Sequence, residues 1–428
     1  MKKPLLLLLL FGNNVFAQTT CDTKQLPIVL VHGFMGSGDN WSTQVQRFSS
    51  RGFCEDRIFV FDWNTIGGKQ NTDSLLNSFI DAILKKTGST QINLAGHSAG
   101  GGLCYRYLND SLHALKVAHY VHIGSMKMKA PAGKHGEVPT MNIYSADDQV
   151  MKNGTDIAGA VNVKQTGHDH MQVASSEATF ANMYSFFTGS KELVSTNIAP
   201  LKQTTRIMAG RGVIMAENTP MAFDSFRVNI IDPKTGQRIG YKSNTPGNAY
   251  VGWNQLDKEG HFSFELGKGN YTEFEVRPKG GRRLFYYFEP LPRNNKNIYL
   301  RGLPTAGMAA NMLGTIPNDS TQSVLVIFTS NNAVIAGRDS LAIDSIPLSL
   351  PSLMPASKTS IATFLFDDGD GISSGKALKS MSMAPFITGV DIMLKAEKHS
   401  SMRVYYNGRT IVLPKIKSNE GIMILVLN

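Results

Sequence analysis

The chain has 428 residues, of which 42% are hydrophobic, 18% charged and 9% aromatic. That balance belongs to a soluble, core-forming protein; it excludes a disordered or collagen-like chain, and the length asks for more than one domain. The formal net charge of +10 is dispersed: the densest basic group, Lys279, Arg282 and Arg283, lies in a Gly-rich turn between candidate strands, so no nucleic-acid partner is expected and attraction to anionic surfaces or substrates is the milder reading.

Lys2 and Lys3 precede an apolar run over residues 5–11, and Val15-Phe16-Ala17 stands before Gln18. This is the layout of a cleavable secretory signal over residues 1–17, cut near Ala17-Gln18. The run is far shorter than the roughly 20 apolar residues that span a bilayer, and no later segment is apolar enough for a transmembrane span. A secreted or periplasmic product is therefore expected, in a compartment that permits disulfides. Of the three cysteines, Cys21 and Cys54 each stand just before a predicted strand, so parallel strands would bring them together. A Cys21–Cys54 bridge follows, although three cysteines allow other pairings. Cys104 reads as a buried free thiol.

From residue 27 to about 187, short β-rich runs at 27–31, 58–61, 92–94, 117–123, 141–144 and 161–163 alternate with helical patterns. Leu75, Leu76, Phe79, Ile80, Ile83 and Leu84 recur at helical spacing, as do Phe180, Met183, Tyr184 and Phe187. The alternation predicts an α/β fold, a parallel sheet with helices on both faces, over residues 18–195. After Gly189 the pattern changes to period two, as in Phe226-Arg227-Val228-Asn229-Ile230 and Phe262-Ser263-Phe264-Glu265-Leu266. These read as half-buried antiparallel strands, and Asn407-Gly408 between two such runs is a hairpin signal. Residues 196–428 are expected to form an all-β, sandwich-like region of one or two sandwiches, with a candidate break at 304–317.

Chemistry concentrates in the first half. Gly96-His97-Ser98-Ala99-Gly100 places G-x-S-x-G directly after a buried strand and before a helix, where the serine would sit on a strained turn with its hydroxyl exposed. Leu30-Val31-His32-Gly33-Phe34-Met35-Gly36 ends an earlier strand. The carboxyl ends of parallel strands share an edge, so this loop should lie beside Ser98. The backbone N–H of Phe34, with that of Ala99, would then hold the oxyanion of a tetrahedral intermediate. A serine nucleophile needs a base, and the base an orienting carboxylate. Downstream stand Asp147 and Asp148 at a strand end, then His168 and His170 before a helix, in the order Ser, Asp, His. His113, His119, His122 and His135 lack this placement and read as surface or packing residues. Trp41, Trp63 and Trp253 are too scattered for a sugar platform.

Four stretches, 29–36, 95–102, 143–151 and 167–176, together resemble the compact bacterial lipases of the α/β-hydrolase superfamily, over residues 26 to about 190. More loosely, residues 210–220, 235–238 and 285–290 resemble the C-terminal β domain of some bacterial and archaeal long-chain lipases. The resemblance implies a triacylglycerol lipase, or a wider carboxylic-ester hydrolase, with lipid or other ester substrates, contact with a lipid interface, and no cofactor or metal. An ungapped register on the family's strand end puts the acid at Asp148, whereas anchoring on Val150-Met151 favours Asp147. The family's loop into its last helix puts the base at His170, leaving His168 in a variable position. No insertion between residues 98 and 170 is long enough for a helical lid, so the site is either open or shielded by the β region. Rival readings keep the mechanism but change the substrate to a polyester, a polysaccharide ester or a thioester; a further one makes the chain an envelope- or sugar-binding protein with an inactive hydrolase fold. Asp367-Asp368-Gly369-Asp370-Gly371 offers clustered oxygens for calcium but lacks the later glutamate of an EF-hand, so a solvated turn is the expectation there.

Overall fold

The structure is a computed structural model and describes residues 21–67, 71–152, 154–239, 260–329, 331–382 and 384–427. The expected signal segment and Trp253 lie outside these residues. In β1 (Ile28–Val31), Ile28 and Leu30 face one hydrophobic cluster, Val29 and Val31 another, and all four are fully buried. A strand with this pattern must be covered on both faces. Around it lie β2 (Ile58–Phe61), β3 (Ile92–His97), β4 (Val117–Ile123), β5 (Thr140–Ser145) and β6 (Val161–Gln165), in a six-stranded sheet of order β2-β1-β3-β4-β5-β6. Every neighbouring pair in it is parallel.

The helices are α1 (Ser42–Ser50), α2 (Thr72–Thr87), α3 (Ala99–Leu108), the short α4 (Ser111–Ala114) and α5 (Gln172–Ser175), and α6 (Glu177–Thr188). Leu76, Ile80 and Ile83 of α2 and Leu103 and Leu108 of α3 pack on the Val29/Val31 face, whereas Val45 and Phe48 of α1 and Phe180, Met183 and Phe187 of α6 pack on the other. Local chemistry sets the helix ends: Asn71 accepts a hydrogen bond from Ser74 N to start α2, and Ser176 accepts one from Thr179 N to start α6. A disulfide joins Cys21 to Cys54 next to the parallel bridge Asp22–Phe53, and Cys104 is a buried free thiol.

The rest of the chain is largely β-sheet, as expected. Its strands are β7 (Thr205–Ile214), β8 (Phe223–Ile231), β9 (Arg238–Ile239), β10 (His261–Gly267), β11 (Tyr271–Pro278), β12 (Arg283–Phe288), β13 (Asn295–Gly302), β14 (Leu325–Phe328), β15 (Leu341–Ile343), β16 (Ile346–Pro347), β17 (Ala362–Phe366), β18 (Ile387–Asp391), β19 (Ser401–Tyr406), β20 (Arg409–Pro414) and β21 (Gly421–Val426). An eight-stranded sheet, β18-β17-β14-β21-β12-β11-β8-β9, forms the middle layer. Phe274, Tyr286, Phe288, Val326, Phe364 and Ile424 on one of its faces meet Met208, Phe262 and Leu300 of the three-stranded sheet β10-β7-β13. Phe285, Leu325, Leu365, Met423 and Leu425 on its other face meet Leu341, Met402, Val404 and Ile411 of the four-stranded sheet β16-β15-β19-β20. Strands from both sides of residues 304–317 share the middle sheet, and α7 (Gly307–Leu313) occupies that stretch.

The runs read as antiparallel strands pair that way, β8 with β9 and β11 and β10 with β7, but other strands of the region do not. Antiparallel pairing holds for β8 with β11, β11 with β12 and the β19–β20 hairpin, but β21 pairs in parallel with both β12 and β14, β17 with β18, and β7 with β13. Period two reports which face a side chain takes and is silent on the direction of the neighbouring strand. In β21, all six residues are buried, so even the alternation is lost. Among the described residues, no helix is long and apolar enough to cross a membrane.

Candidate active site

β3 delivers Ser98 on a backbone that few residues adopt. Its φ of 54° and ψ of −123° place it outside the ordinary regions, a strain that persists only where the surroundings enforce it. The tightness of the turn explains the flanking glycines. A Cβ at Gly96 would lie 2.8 Å from Gly100 O, and one at Gly100 would lie 2.5 Å from His32 O. The turn is pinned by Ser98 N donating to Ile123 O at 2.9 Å and by Ser125 Oγ donating to Ser98 O at 2.6 Å.

Ser98 Oγ lies 2.9 Å from His170 Nε2, and His170 Nδ1 lies 2.7 Å from Asp148 Oδ2. The other oxygen of Asp148 accepts from the backbone N–H of Val150 and Met151, each at 2.9 Å. Burial opposes ionisation of Asp148, but the hydrogen bond and charge of His170, with those two N–H groups, hold its carboxyl below the usual value. The carboxylate is therefore fixed and ionised, and can keep the His170 ring in one orientation. The neighbouring members of each doublet go elsewhere. Asp147 is exposed and accepts from Gly167 N at 2.6 Å; His168 offers its carbonyl to Ser145 Oγ at 2.7 Å.

The loop after β1 passes beside Ser98: a Cβ at Gly33 would meet Ser98 Cβ at 2.9 Å. No hydrogen bond among the described residues engages the N–H of Phe34 or of Ala99, which leaves both donors available. The loop is held from below by His32. Burial lowers its pKa, so the ring is neutral; Nδ1 then donates to Gly33 O at 2.9 Å and Nε2 accepts from Trp63 N at 3.3 Å. Asp62, 3.8 Å from that Nε2, therefore serves other partners: Tyr299 OH donates to it at 2.6 Å and Arg211 Nη1 at 3.1 Å.

Several residues at this site gave no signal in the sequence. His97, the variable position of the motif, is buried and its pKa falls to about 3, through burial first and then the charge of His170; as a neutral ring it donates from Nε2 to the carbonyl of His170 at 2.8 Å. Asn218, between β7 and β8, donates to Gly36 O at 2.8 Å and accepts from Ser37 Oγ at 2.6 Å. Met35 carries a positive φ of 58° and inserts its side chain into the hydrophobic core of the β region.

The β region also roofs the site. Phe34, Asn40, Ser98, His170, Ile361 and Phe386 line a narrow cleft that opens to solvent. Phe386, at a φ of 62°, stacks over the His170 ring with centroids 6.2 Å apart and planes 15° from parallel. Met171 packs against Ala333, Ile335 and Ile361. Of the two arrangements left open by the lack of a helical lid, the protein adopts the shielded one. Polar contacts hold the roof in place: Asp39 pairs with Arg301 at 2.5 Å and Asn295 Nδ2 donates to Ser42 Oγ at 2.9 Å, both buried, and Asp169 pairs at 2.5 Å with the half-buried Arg338.

Residues 27–137 match the alpha/beta hydrolase fold family. Among solved structures, the chain is similar to a carboxylesterase of the ammonia-oxidizing thaumarchaeon Nitrososphaera gargenis, at 15% identity over 40% of this chain and 90% of that one, with a TM-score of 0.31. It is also similar to a lipase of Bacillus licheniformis in its mature form, at 14% identity over 39% of this chain and 94% of that one, TM-score 0.32. A carboxylesterase of Bacillus subtilis matches at 13% identity over 40% of this chain and 86% of that one, TM-score 0.30. On the family match over residues 27–137 and the sheet topology, the chain carries an α/β-hydrolase fold domain followed by a β-rich region.

Proposed function

We propose that the chain is an exported serine hydrolase of carboxylic esters, with lipid acyl esters as its substrates. The observation that carries the reading is the unbroken line of hydrogen bonds from Ser98 Oγ through His170 to Asp148, set on a strained turn. Ser98 Oγ attacks the ester carbonyl carbon as His170 Nε2 takes its proton, and Asp148 stabilises the imidazolium. The oxygen of the tetrahedral intermediate turns to the N–H groups of Phe34 and Ala99. His170 then protonates the departing alcohol, leaving an acyl group on Ser98, and water repeats the attack to release the acid. Ser98, His170, Asp148 and the two N–H groups account for every bond made and broken, so the reaction calls on no metal or organic cofactor.

The apolar lining from Phe34, Met171, Ile361 and Phe386 supports an acyl chain as the group held beside the carbonyl. Export is supported by the Cys21–Cys54 disulfide together with the charged and apolar start of the chain. The test is hydrolysis of p-nitrophenyl esters from acetate to palmitate by the intact protein and by Ser98→Ala. Turnover that depends on Ser98 and rises with acyl length is expected. Turnover of acetate alone would remove lipids as substrates, and equal activity in the variant would remove the mechanism.

A further inference from the structure

Asp391, the last residue of β18, stands beside Phe366, the last residue of β17, in parallel register, and Asp367 and Asp368 follow at once. One carboxylate oxygen from each of Asp367, Asp368 and Asp391 lies within 4.8 Å of the others. Asp367 is 4% exposed and Asp391 3%, yet among the described residues no cationic side chain pairs with either. Asp367 Oδ2 accepts from Gly369 N at 2.9 Å and Gly371 N at 3.1 Å. Its other oxygen, Oδ1, is fully buried and accepts no hydrogen bond from the described residues, which leaves it free to take a ligand. Asp391 is met by the backbone N–H of Asp368 at 3.2 Å and of Ser374 at 3.1 Å, so Asp367 Oδ1 is the oxygen left without a partner; burying it costs free energy unless a ligand takes it, and three crowded carboxylates repel one another unless a positive charge intervenes.

We propose that Asp367, Asp368 and Asp391 bind a divalent cation of the calcium type. The donors are all hard oxygens, without a nitrogen or sulfur ligand, which selects calcium or magnesium over transition metals. The sequence alone suggested a solvated turn, because the stretch lacks the later glutamate of an EF-hand; Asp391, 23 residues beyond Asp368, completes the set only in the fold. The position has a consequence for the cleft. Ile361 immediately precedes β17 and Phe386 immediately precedes β18, so the two strands pinned by the ion at their ends carry the roof over His170 at their starts.

The test titrates calcium chloride into the full chain, freed of metal with a chelator, and follows Tm, heat of binding and amide exchange. A saturable rise in Tm of at least about 3 °C is expected, with slower exchange across β17 and β18. Asp368 is exposed, so Asp368→Asn should fold; it should lose the calcium response and, in chelator, melt at or above the temperature of the native chain because a like charge is gone. Asp391→Asn should lose the response as well. The proposal is overturned if the native chain shows no saturable shift or heat up to about 10 mM calcium, beyond the weakest extracellular sites. It is equally overturned if both variants respond as the native chain does.

Discussion

Asn218 holds Gly36: the side-chain amide of a residue in the β region donates at 2.8 Å to a carbonyl two residues beyond Phe34 in the loop beside Ser98. The same amide group donates to Trp63 O at 2.9 Å, and its oxygen accepts from Ser37 Oγ at 2.6 Å. The loop is thus fixed from outside the sheet that bears it. Asn218 has a φ of 56°, so Asn218→Gly removes the amide while keeping the backbone conformation. The expected result is a fall in kcat of about tenfold to a hundredfold, with little change in KM for a short ester, because the donor of Phe34 is displaced while the cleft is not. A change confined to KM would show that the loop position does not govern the reaction.

Among the acidic and histidine doublets, Ser98→Ala, His170→Ala and Asp148→Ala should each reduce kcat by at least about three orders of magnitude, since such residues act as a unit. Asp147→Ala and His168→Ala should retain most activity. Assays of all five on one ester at fixed pH decide the register. Loss of activity in His168→Ala with retention in His170→Ala would displace the base by two residues.

Phe386→Ala keeps the same strained backbone but removes the ring over His170. Lost apolar contact with an acyl chain should lower kcat/KM for long-chain esters by about tenfold relative to butyrate. The ratio of the two specificity constants is the measurement, and an unchanged ratio would assign the chain-binding surface elsewhere.

Buried histidines make stability fall with acid. Burial lowers the pKa of His122 to about 4 and that of His97 to about 3, while the unfolded chain titrates near 6.5. Between those values the unfolded state binds the extra protons, so stability is fully present above about pH 6.5 and is lost as pH falls toward 4. Each group contributes a slope of about 1.4 kcal/mol per pH unit in that window. Urea unfolding at pH 7, 6 and 5 should show the decline, and His122→Gln should flatten it by roughly one histidine's share. A slope equal to that of the native chain would place the lost protons on other groups.

The Asp39–Arg301 pair joins the two regions with side chains only 7% and 5% exposed. Arg301→Met leaves Asp39 buried without its partner and should cost about 3–5 kcal/mol; removing both charges with Asp39→Leu and Arg301→Met should recover most of it. Thermal and urea unfolding of the three proteins provide the cycle, and a double variant no better than the single one would refute the electrostatic origin.

The sequence carries those features that short stretches of chain create by themselves. Gly96 and Gly100 announce the turn because only glycine fits against His32 O and Gly100 O, and the alternation of Ile28, Val29, Leu30 and Val31 with helical repeats announces the covered parallel sheet. Asn218, Phe386 and Asp391 remain silent, since each acquires its meaning from a partner more than 20 residues away, and nothing in its immediate neighbours marks it. His97 is hidden for another reason: it occupies a position where the motif accepts any residue, and only its neutral ring beneath His170 reveals what it does. The parallel pairs of β21 escape for a third reason, as burial on both faces erases the alternation from which strands are read.

β21 has a consequence in time as well as in space. It lies between β12 and β14 in the middle of the eight-stranded sheet, yet the ribosome makes it after both. Until residue 421 and its successors emerge, the two halves of that sheet have nothing between them, and their open edges invite pairing with other chains. Contacts this distant in sequence form slowly. The nascent β region therefore waits unfinished through most of its synthesis, a state suited to a chain that is threaded unfolded across a membrane and in need of escort if it is not.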